Sequence, residues 1–262
     1  MTEIADRFLA MHERDTAFVM PNPWDVGSAR LLAFLGFEAL ATTSSGHAMT
    51  LGRLDGNVSR NEALAHATAL ATAVSIPINA DLEKCFADDP DGVAETIRLT
   101  ADTEIAGCSV EDYDGTTIYD RGLAIERVAA AAEAAHAVGL ILTARAENLI
   151  RGRDDLDDTI ARLQAYEAAG AAVVYAPGLV TIDDIRRVVD SVGVPVNVLA
   201  LPHGPTVGEL SDAGVKRVSI GGTLARAAFG FVAEAARELL DAGTYSFADH
   251  VLSRDDGRAA FS

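Results

Sequence analysis

Eight short apolar runs recur along the chain, each followed by a longer Ala- and Leu-rich amphipathic stretch, and this alternation limits the fold more than any other feature. The runs fall at 17–20, 38–42, 76–80, 106–110, 140–144, 171–175, 194–199 and 215–220. Helical periodicity occupies 25–35, 59–74, 89–101, 122–138, 155–169, 181–191, 205–213 and 222–241. Near-continuous apolar strands suit a parallel sheet covered on both faces. Gly36, Gly139, Gly170, Gly193 and Gly214 each stand just before a strand run, where a left-handed helix C-cap favours glycine. Eight strand–helix units in 262 residues predict an α/β fold of the (β/α)₈ TIM-barrel type, with a catalytic barrel over 1–243 and a polar tail over 244–262 outside it. An open doubly wound sheet is the alternative, but no run is followed by Gly-x-Gly-x-x-Gly. Gly221-Gly222, after the eighth run, reads either as a phosphate cradle or as room for close helix packing.

The net charge of −18 argues against nucleic acid or an anionic membrane as partner, because like-charged fields oppose approach. No apolar stretch nears the roughly 20 residues that span a bilayer, and the N-terminus lacks the basic-then-apolar order of a secretory signal. Two cysteines, Cys85 and Cys108, are too few for a disulfide framework, so a cytoplasmic protein is expected. Lysine occurs only at Lys84 and Lys216. An Asp-rich, Lys-poor surface suits either high ionic strength or a GC-rich gene.

Chemistry gathers where the runs end. A barrel of this kind builds its active site from loops at the C-terminal ends of its strands. Those ends carry Ser44-Ser45-Gly46, Asp81-Leu82-Glu83, Glu111-Asp112 and Arg145-Ala146-Glu147, whereas the opposite ends are mainly Gly-apolar and Pro-apolar pairs. Converging carboxylates repel one another, and the usual remedy is a hard divalent ion bound through oxygen. Each is otherwise an ordinary solvated loop acid; their repetition at consecutive strand ends favours a metal. Ser44-Ser45-Gly46 either caps the next helix or holds a carboxylate or phosphate. Arg145 either pairs with Glu111 or Glu147 or faces a bidentate anion, which a guanidinium at the end of a buried strand suits better. Trp24, the only tryptophan, either packs or walls the pocket. His47 and His203 read as loop residues, since no second histidine stands at ligand spacing.

The run Pro21-Asn22-Pro23-Trp24-Asp25-Val26-Gly27-Ser28-Ala29-Arg30 resembles the opening of the isocitrate lyase/phosphoenolpyruvate mutase superfamily. So do Thr43-Ser44-Ser45-Gly46, Leu51-Gly52-Arg53-Leu54-Asp55-Gly56, Ala80-Asp81-Leu82-Glu83, Val110-Glu111-Asp112 and Thr143-Ala144-Arg145, in that order. The resemblance implies Mg²⁺, with Mn²⁺ as a substitute, held by Asp81, Glu83 and Glu111 directly or through water, with Asp55 nearby as a catalytic acid. It places a small anionic carboxylic-acid substrate against Ser44, Ser45 and Gly46, with Arg145 clamping the oxyanion side; Trp24 joins them as the candidate pocket wall. It implies a lyase that cleaves or forms a C–C bond in a 2-oxo or 2-hydroxy acid through a pyruvate-type enolate. C–P chemistry on a phosphonate and an oxo-acid-binding barrel without turnover are the alternatives. It also implies a homotetramer, or at least a dimer, with the last helix exchanged between subunits.

Two departures from the family pattern matter. Lyases of the family carry Lys-Lys-Cys-Gly-His after the fourth strand, where this chain has Glu111-Asp112-Tyr113-Asp114-Gly115. After the third strand, Cys85-Phe86-Ala87 replaces Gly-Tyr/Phe-Gly. Cys85 is thus either an apolar filler or a relocated thiol that carries a proton to the enolate carbon.

Overall fold

The eight apolar runs form eight parallel strands: β1 (Phe18–Met20), β2 (Leu40–Ala41), β3 (Ile78–Asp81), β4 (Gly107–Glu111), β5 (Ile141–Arg145), β6 (Val173–Tyr175), β7 (Val196–Leu199) and β8 (Arg217–Ser219). The structure is a computed structural model describing residues 2–262; Met1, at the start of the expected barrel domain, lies outside the described residues. The ladder runs β1-β8-β7-β6-β5-β4-β3-β2. At the remaining seam the Ala41 N–H donates to the Pro21 carbonyl (3.0 Å) and the Asn22 side chain to the Thr42 carbonyl (2.9 Å), which brings the barrel close to closure. Every strand run of the sequence is realised with a later start, and β3, β4 and β5 each continue one residue further than expected, to Asp81, Glu111 and Arg145.

Helices α2 (Val26–Phe34), α4 (Arg60–Ala73), α5 (Pro90–Leu99), α6 (Arg121–Val138), α7 (Leu156–Ala168), α8 (Ile182–Val189), α9 (Val207–Asp212) and α10 (Thr223–Asp241) match the eight helical stretches. The main apolar core lies between these helices and the outer faces of the strands, from Leu40 and Ile78 to Val198 and Val218. Gly139 closes α6 in the left-handed region at φ 77°. Gly193 is a correction: its φ is not positive, and its N–H instead donates to both Glu167 oxygens (3.0 Å each). An added Cβ there would lie 2.6 Å from Glu167 Oε1, so a larger residue would have to displace that flexible side chain.

Three helices escaped the periodicity. α1 (Glu3–His12) is capped by Thr2 and buries Ala5, Phe8 and Met11 against Phe18, Met20, Ile141 and Val173, sealing the N-terminal mouth of the barrel. α3 (Ser44–Thr50) is short, and Thr43 caps it. α11 (Arg254–Phe261), inside the polar tail, packs on α2 outside the barrel and buries Ala260. Among the described residues no helix is long and apolar enough to cross a membrane.

Strand register sets the site. β4 pairs with β5 so that Glu111 lies level with Arg145, and β3 pairs with β4 so that Asp81 lies level with Ser109. Successive side chains on a strand face opposite ways. Asn79 and Asp81, Ser109 and Glu111, and Thr143 and Arg145 therefore point together into the barrel.

Candidate active site

A cavity of about 210 Å³ opens at the C-terminal end of the strands, lined among others by Ser44, Ser45, Asp55, Asp81, Glu111 and Arg145. Arg145 sits at its centre. Its Nη1 lies 3.1 Å from Asp81 Oδ1 and 2.9 Å from Glu111 Oε1, while Nε and Nη2 reach Glu147 Oε1 at 3.0 and 2.9 Å. The ring of Tyr175 lies beneath it, 4.9 Å from the guanidinium carbon. Arg151 adds a second cation, 3.1 Å from Glu147 and 3.7 Å from Glu111, and stacks on Tyr113 at 3.9 Å. The acid partners that the sequence offered for Arg145, Glu111 and Glu147, both pair with it, and Asp81 joins them.

The three acids expected to share an ion do not enclose one by themselves. Among the described residues no group of three or more His, Cys, Asp or Glu side chains is gathered tightly enough to hold a metal. The physical reason is the guanidinium between Asp81 and Glu111, which supplies the positive charge that their repulsion demands. Negative charge nevertheless remains in excess. Burial, then Asp81 and Asp55, push the Glu83 carboxyl up to about 7. Burial likewise holds Glu111 well above the usual carboxylate range, with Glu147 and Asp81 adding to it against Arg145. A second cavity of about 330 Å³, lined by Asp55, Glu83, Lys84, Tyr113 and Asp114, meets the first at Ser44, Asp55, Glu111 and Arg151. At that junction all side-chain donors with spare lone pairs are carboxylate or hydroxyl oxygens, which fits a hard, partly hydrated cation.

Glu83 is held by an unusual turn. Glu83, Cys85 and Phe86 all have positive φ (50°, 58° and 56°), a conformation costing non-glycine residues about 1–2 kcal/mol each. The turn is over-determined from outside: buried Arg127 on α6 donates Nη1 to the carbonyls of Ala87 (2.6 Å) and Asp88 (2.8 Å), and Nη2 to that of Lys84 (2.8 Å). Thr96 Oγ1 adds a bond to the Cys85 carbonyl (2.7 Å). These bonds do the work that glycine freedom does in the family pattern.

Cys85 is a correction. Its side chain is wholly buried in the apolar core, it lines neither cavity, and burial pushes its thiol well above the ordinary value. A thiol in apolar surroundings, with no path to the enolate, is a filler. Trp24 is a second correction, because it lines a separate surface groove with His47, Leu51 and His66 and not the central cavity. Gly46 is the third: its N–H donates to Thr43 Oγ1 (3.3 Å) within the cap of α3, leaving none for a substrate. A Cβ at Gly46 would lie 2.5 Å from Thr43 Cγ2, 3.0 Å from Trp24 Cβ and 3.1 Å from Ala225 Cβ, so packing is its reason.

Ser44 and Ser45 do face the cavity. The Ser44 N–H donates to Asp81 Oδ2 (3.3 Å), coupling α3 to β3, and the Ser45 hydroxyl lies 3.3 Å from Thr43 Oγ1. Gly222 makes room for that hydroxyl, since a Cβ there would sit 2.4 Å from Ser45 Oγ. The Gly221 N–H is taken by Asn22 Oδ1 (2.8 Å), which favours the packing reading of the glycine pair.

Sequence reasoning named Glu147 only as a partner for Arg145, and it missed Arg151 and Tyr175 as members of the site. It also grouped Asp112 with the strand-end acids, whereas Asp112 turns away and is structural. Its Oδ2 accepts from Arg162 (3.0 Å) and Tyr166 (2.6 Å), and its Oδ1 from the Glu147 N–H (2.8 Å). The signal was available in Tyr166 and Arg162, polar groups on the inner stripe of α7.

Comparison with known proteins agrees with this geometry. Residues 8–240 match the phosphoenolpyruvate phosphomutase family. The chain is 33% identical over 236 residues to the uncharacterized protein Rv1998c of Mycobacterium tuberculosis, covering 89% of both. It is 25% identical over 240 residues to a 2-methylisocitrate lyase of Bacillus subtilis, covering 86% of this chain and 78% of that one. The crystal structure of a provisionally named lyase/mutase from Burkholderia cenocepacia superposes with a TM-score of 0.95 at 49% identity, over 99% of this chain and 95% of that one. With a strand-end acid cluster on a (β/α)₈ barrel and a family match over nearly its whole length, the chain belongs to the phosphoenolpyruvate phosphomutase family, within the superfamily of lyases and mutases that its motifs resemble.

Proposed function

We propose that this chain is a Mg²⁺-dependent carbon–carbon lyase for a small 2-oxo or 2-hydroxy carboxylic acid. The observation that carries the reading is one cavity in which Ser44 and Ser45 face Asp81, Glu111 and Arg145. At about 210 Å³ it lies below the range of drug-sized pockets and suits a compact acid. Asp81, Glu83 and Glu111, with Asp55, would hold Mg²⁺ or Mn²⁺, which when bound supplies a Lewis acid for the carbonyl or enolate oxygen. Ser44 and Ser45 orient the substrate carboxylate. Arg145 supplies fixed positive charge on the side where the oxyanion develops. Tyr113 and Arg151 stack on each other beside the junction of the two cavities.

The assembly proposed is a homotetramer, or at least a dimer, built on α10. Only Ala225 of that helix is buried, whereas Phe229, Phe231, Val232 and Leu240 are open. Such a face favours a second copy, and a monomeric mass by light scattering at micromolar concentration would refute it.

The reading is tested by supplying oxaloacetate, isocitrate, methylisocitrate-like acids and phosphonopyruvate with and without Mg²⁺. Pyruvate or glyoxylate release supports the lyase. Phosphate release from phosphonopyruvate moves the assignment to C–P chemistry, and binding without products to a non-catalytic barrel. Asp81→Ala is expected to abolish both Mg²⁺ binding and turnover.

A further inference from the structure

Arg217 crosses the interior of the barrel below the acid cluster. Its Nη2 donates to Thr143 Oγ1 on β5 (3.0 Å) and its Nε to Asn197 Oδ1 on β7 (2.9 Å). Its Nη1 lies 3.4 Å from Nε2 of His12. The other His12 nitrogen is 2.9 Å from the Phe8 carbonyl, an acceptor only, so Nδ1 carries the proton and Nε2 is a neutral acceptor. Arg217 as a whole is 1% exposed, yet among the described residues no carboxylate forms an ion pair with it. Arg145 is matched by three acids and Arg162 by Asp112 and Asp158, whereas Arg127, like Arg217, meets only neutral acceptors, the carbonyls of Lys84, Ala87 and Asp88.

An unpaired buried cation is costly, and proteins ordinarily meet it with a counter-charge. Burial without a carboxylate lowers the Arg217 pKa to about 9. Two further facts locate where one would sit. Arg217 lines the central cavity, so open space adjoins it from above. Asn79 lines the same cavity and is 3% exposed; its side-chain oxygen has no partner, and its nitrogen has only a 3.5 Å contact with the Ala80 carbonyl. The two ends of an amide are interchangeable by rotation, so Asn79 can present N–H to an anion.

We propose that the floor of the cavity is an anion subsite in which Arg217, assisted by Asn79, binds one compact monoanionic group. That group is a carboxylate or an inorganic anion of similar size. Its source is either the second carboxylate of a dicarboxylic substrate or a free anion such as chloride. The subsite shares a cavity with the proposed lyase centre, but its test requires no turnover.

Thermal unfolding is followed at constant ionic strength, with bulky gluconate exchanged for formate, chloride or malonate, in EDTA and in Mg²⁺. The wild type is expected to gain ~2–4 °C with formate or chloride in EDTA if the anion is free, on the scale that ligand linkage produces for a chain of this size. If the group belongs to the substrate, the gain appears with malonate and needs Mg²⁺. In either case Arg217→Met is expected to abolish the gain and Arg217→Lys, which keeps the charge but loses the fork, to reduce it. An equal gain in Arg217→Met overturns the proposal. So does a wild type that responds to none of the three anions, a result that needs no variant to fold. In the free-anion case Asp81→Ala separates the two sites, since anion response retained with Mg²⁺ response lost leaves the subsite standing, and Mg²⁺ response retained counts against the lyase centre alone. In the malonate case, where the gain needs Mg²⁺, Arg217→Met alone decides.

Discussion

Nη1 of Arg145 lies 3.1 Å from Oδ1 of Asp81, and the same nitrogen lies 2.9 Å from Oε1 of Glu111, so one guanidinium corner counterbalances two carboxylates. Removing it leaves a buried acid cluster with Arg151 as its nearest remaining cation. Arg145→Met is expected to cost about 3–5 kcal/mol, the usual penalty for deleting one partner of a buried ion pair. Urea unfolding measures the loss. Millimolar Mg²⁺ is expected to restore part of it in the variant, because a divalent ion can take over the vacated role; no restoration would show that the cluster has no affinity for such an ion.

Arg127→Met tests the clamp on the turn that carries Glu83. Three charge-assisted bonds to carbonyls are lost while the positive-φ strain stays. A loss of about 3 kcal/mol is expected, at the scale of one or two such bonds net of solvation. Chemical denaturation with intact-protein fluorescence from Trp24 reads it. A change under 1 kcal/mol would mean that the turn is held by other contacts.

Both thiols are expected to be silent in the folded chain. Cys85 and Cys108 are 0% exposed, and burial pushes both thiols upward, Cys108 to about 12. Ellman's reagent at pH 8 is expected to find no reactive thiol in the native protein and two after denaturation. Fast native labelling of Cys85 would return it to the site.

Acid stability should follow His12. Burial, with Arg217 beside it, lowers its pKa to about 3 from an ordinary 6.5. The imidazole is neutral in the fold and takes up a proton on unfolding, so its contribution is complete above pH 6.5 and is lost as pH falls towards 3. At pH 4.5 the loss is about 3 kcal/mol. Denaturation midpoints of the wild type and His12→Gln between pH 7 and 4 should therefore converge as the solution is acidified; parallel curves would assign the acid sensitivity elsewhere.

Gly222→Ala probes the space beside Ser45. A Cβ placed 2.4 Å from Ser45 Oγ forces the hydroxyl or the start of α3 to move. Oxalate, a flat dianionic mimic of an enolate, is expected to bind at least ~10-fold more weakly by calorimetry in Mg²⁺, since about 1.4 kcal/mol corresponds to that factor. Unchanged affinity would remove Ser45 from the binding surface.

Much of the site was legible because a barrel places the ends of consecutive strands around one mouth. Asp81 and Glu111 follow directly from this rule, since each closes an apolar run and faces inward with its neighbours. Ser44 and Ser45 follow because they open α3, the first helical turn after β2, at the same mouth of the barrel. Cys85, Trp24 and Gly46 were misplaced for one shared reason. They lie beyond the strand ends, where alternation no longer sets the direction of a side chain; the positive φ at Cys85 turns its thiol into the core.

Local pattern alone therefore determined the eight strand–helix units, their order and the acids that crown them, because hydrophobic period and glycine punctuation are written within a few residues. Which charges meet was settled only in three dimensions. Arg145 finds Asp81 on β3, Glu111 on β4 and Glu147 just beyond its own strand, while Arg217 spans from β8 to Thr143 on β5 without a counter-charge. Coulomb energy depends on distance through space and on burial, and neither is a property of sequence separation.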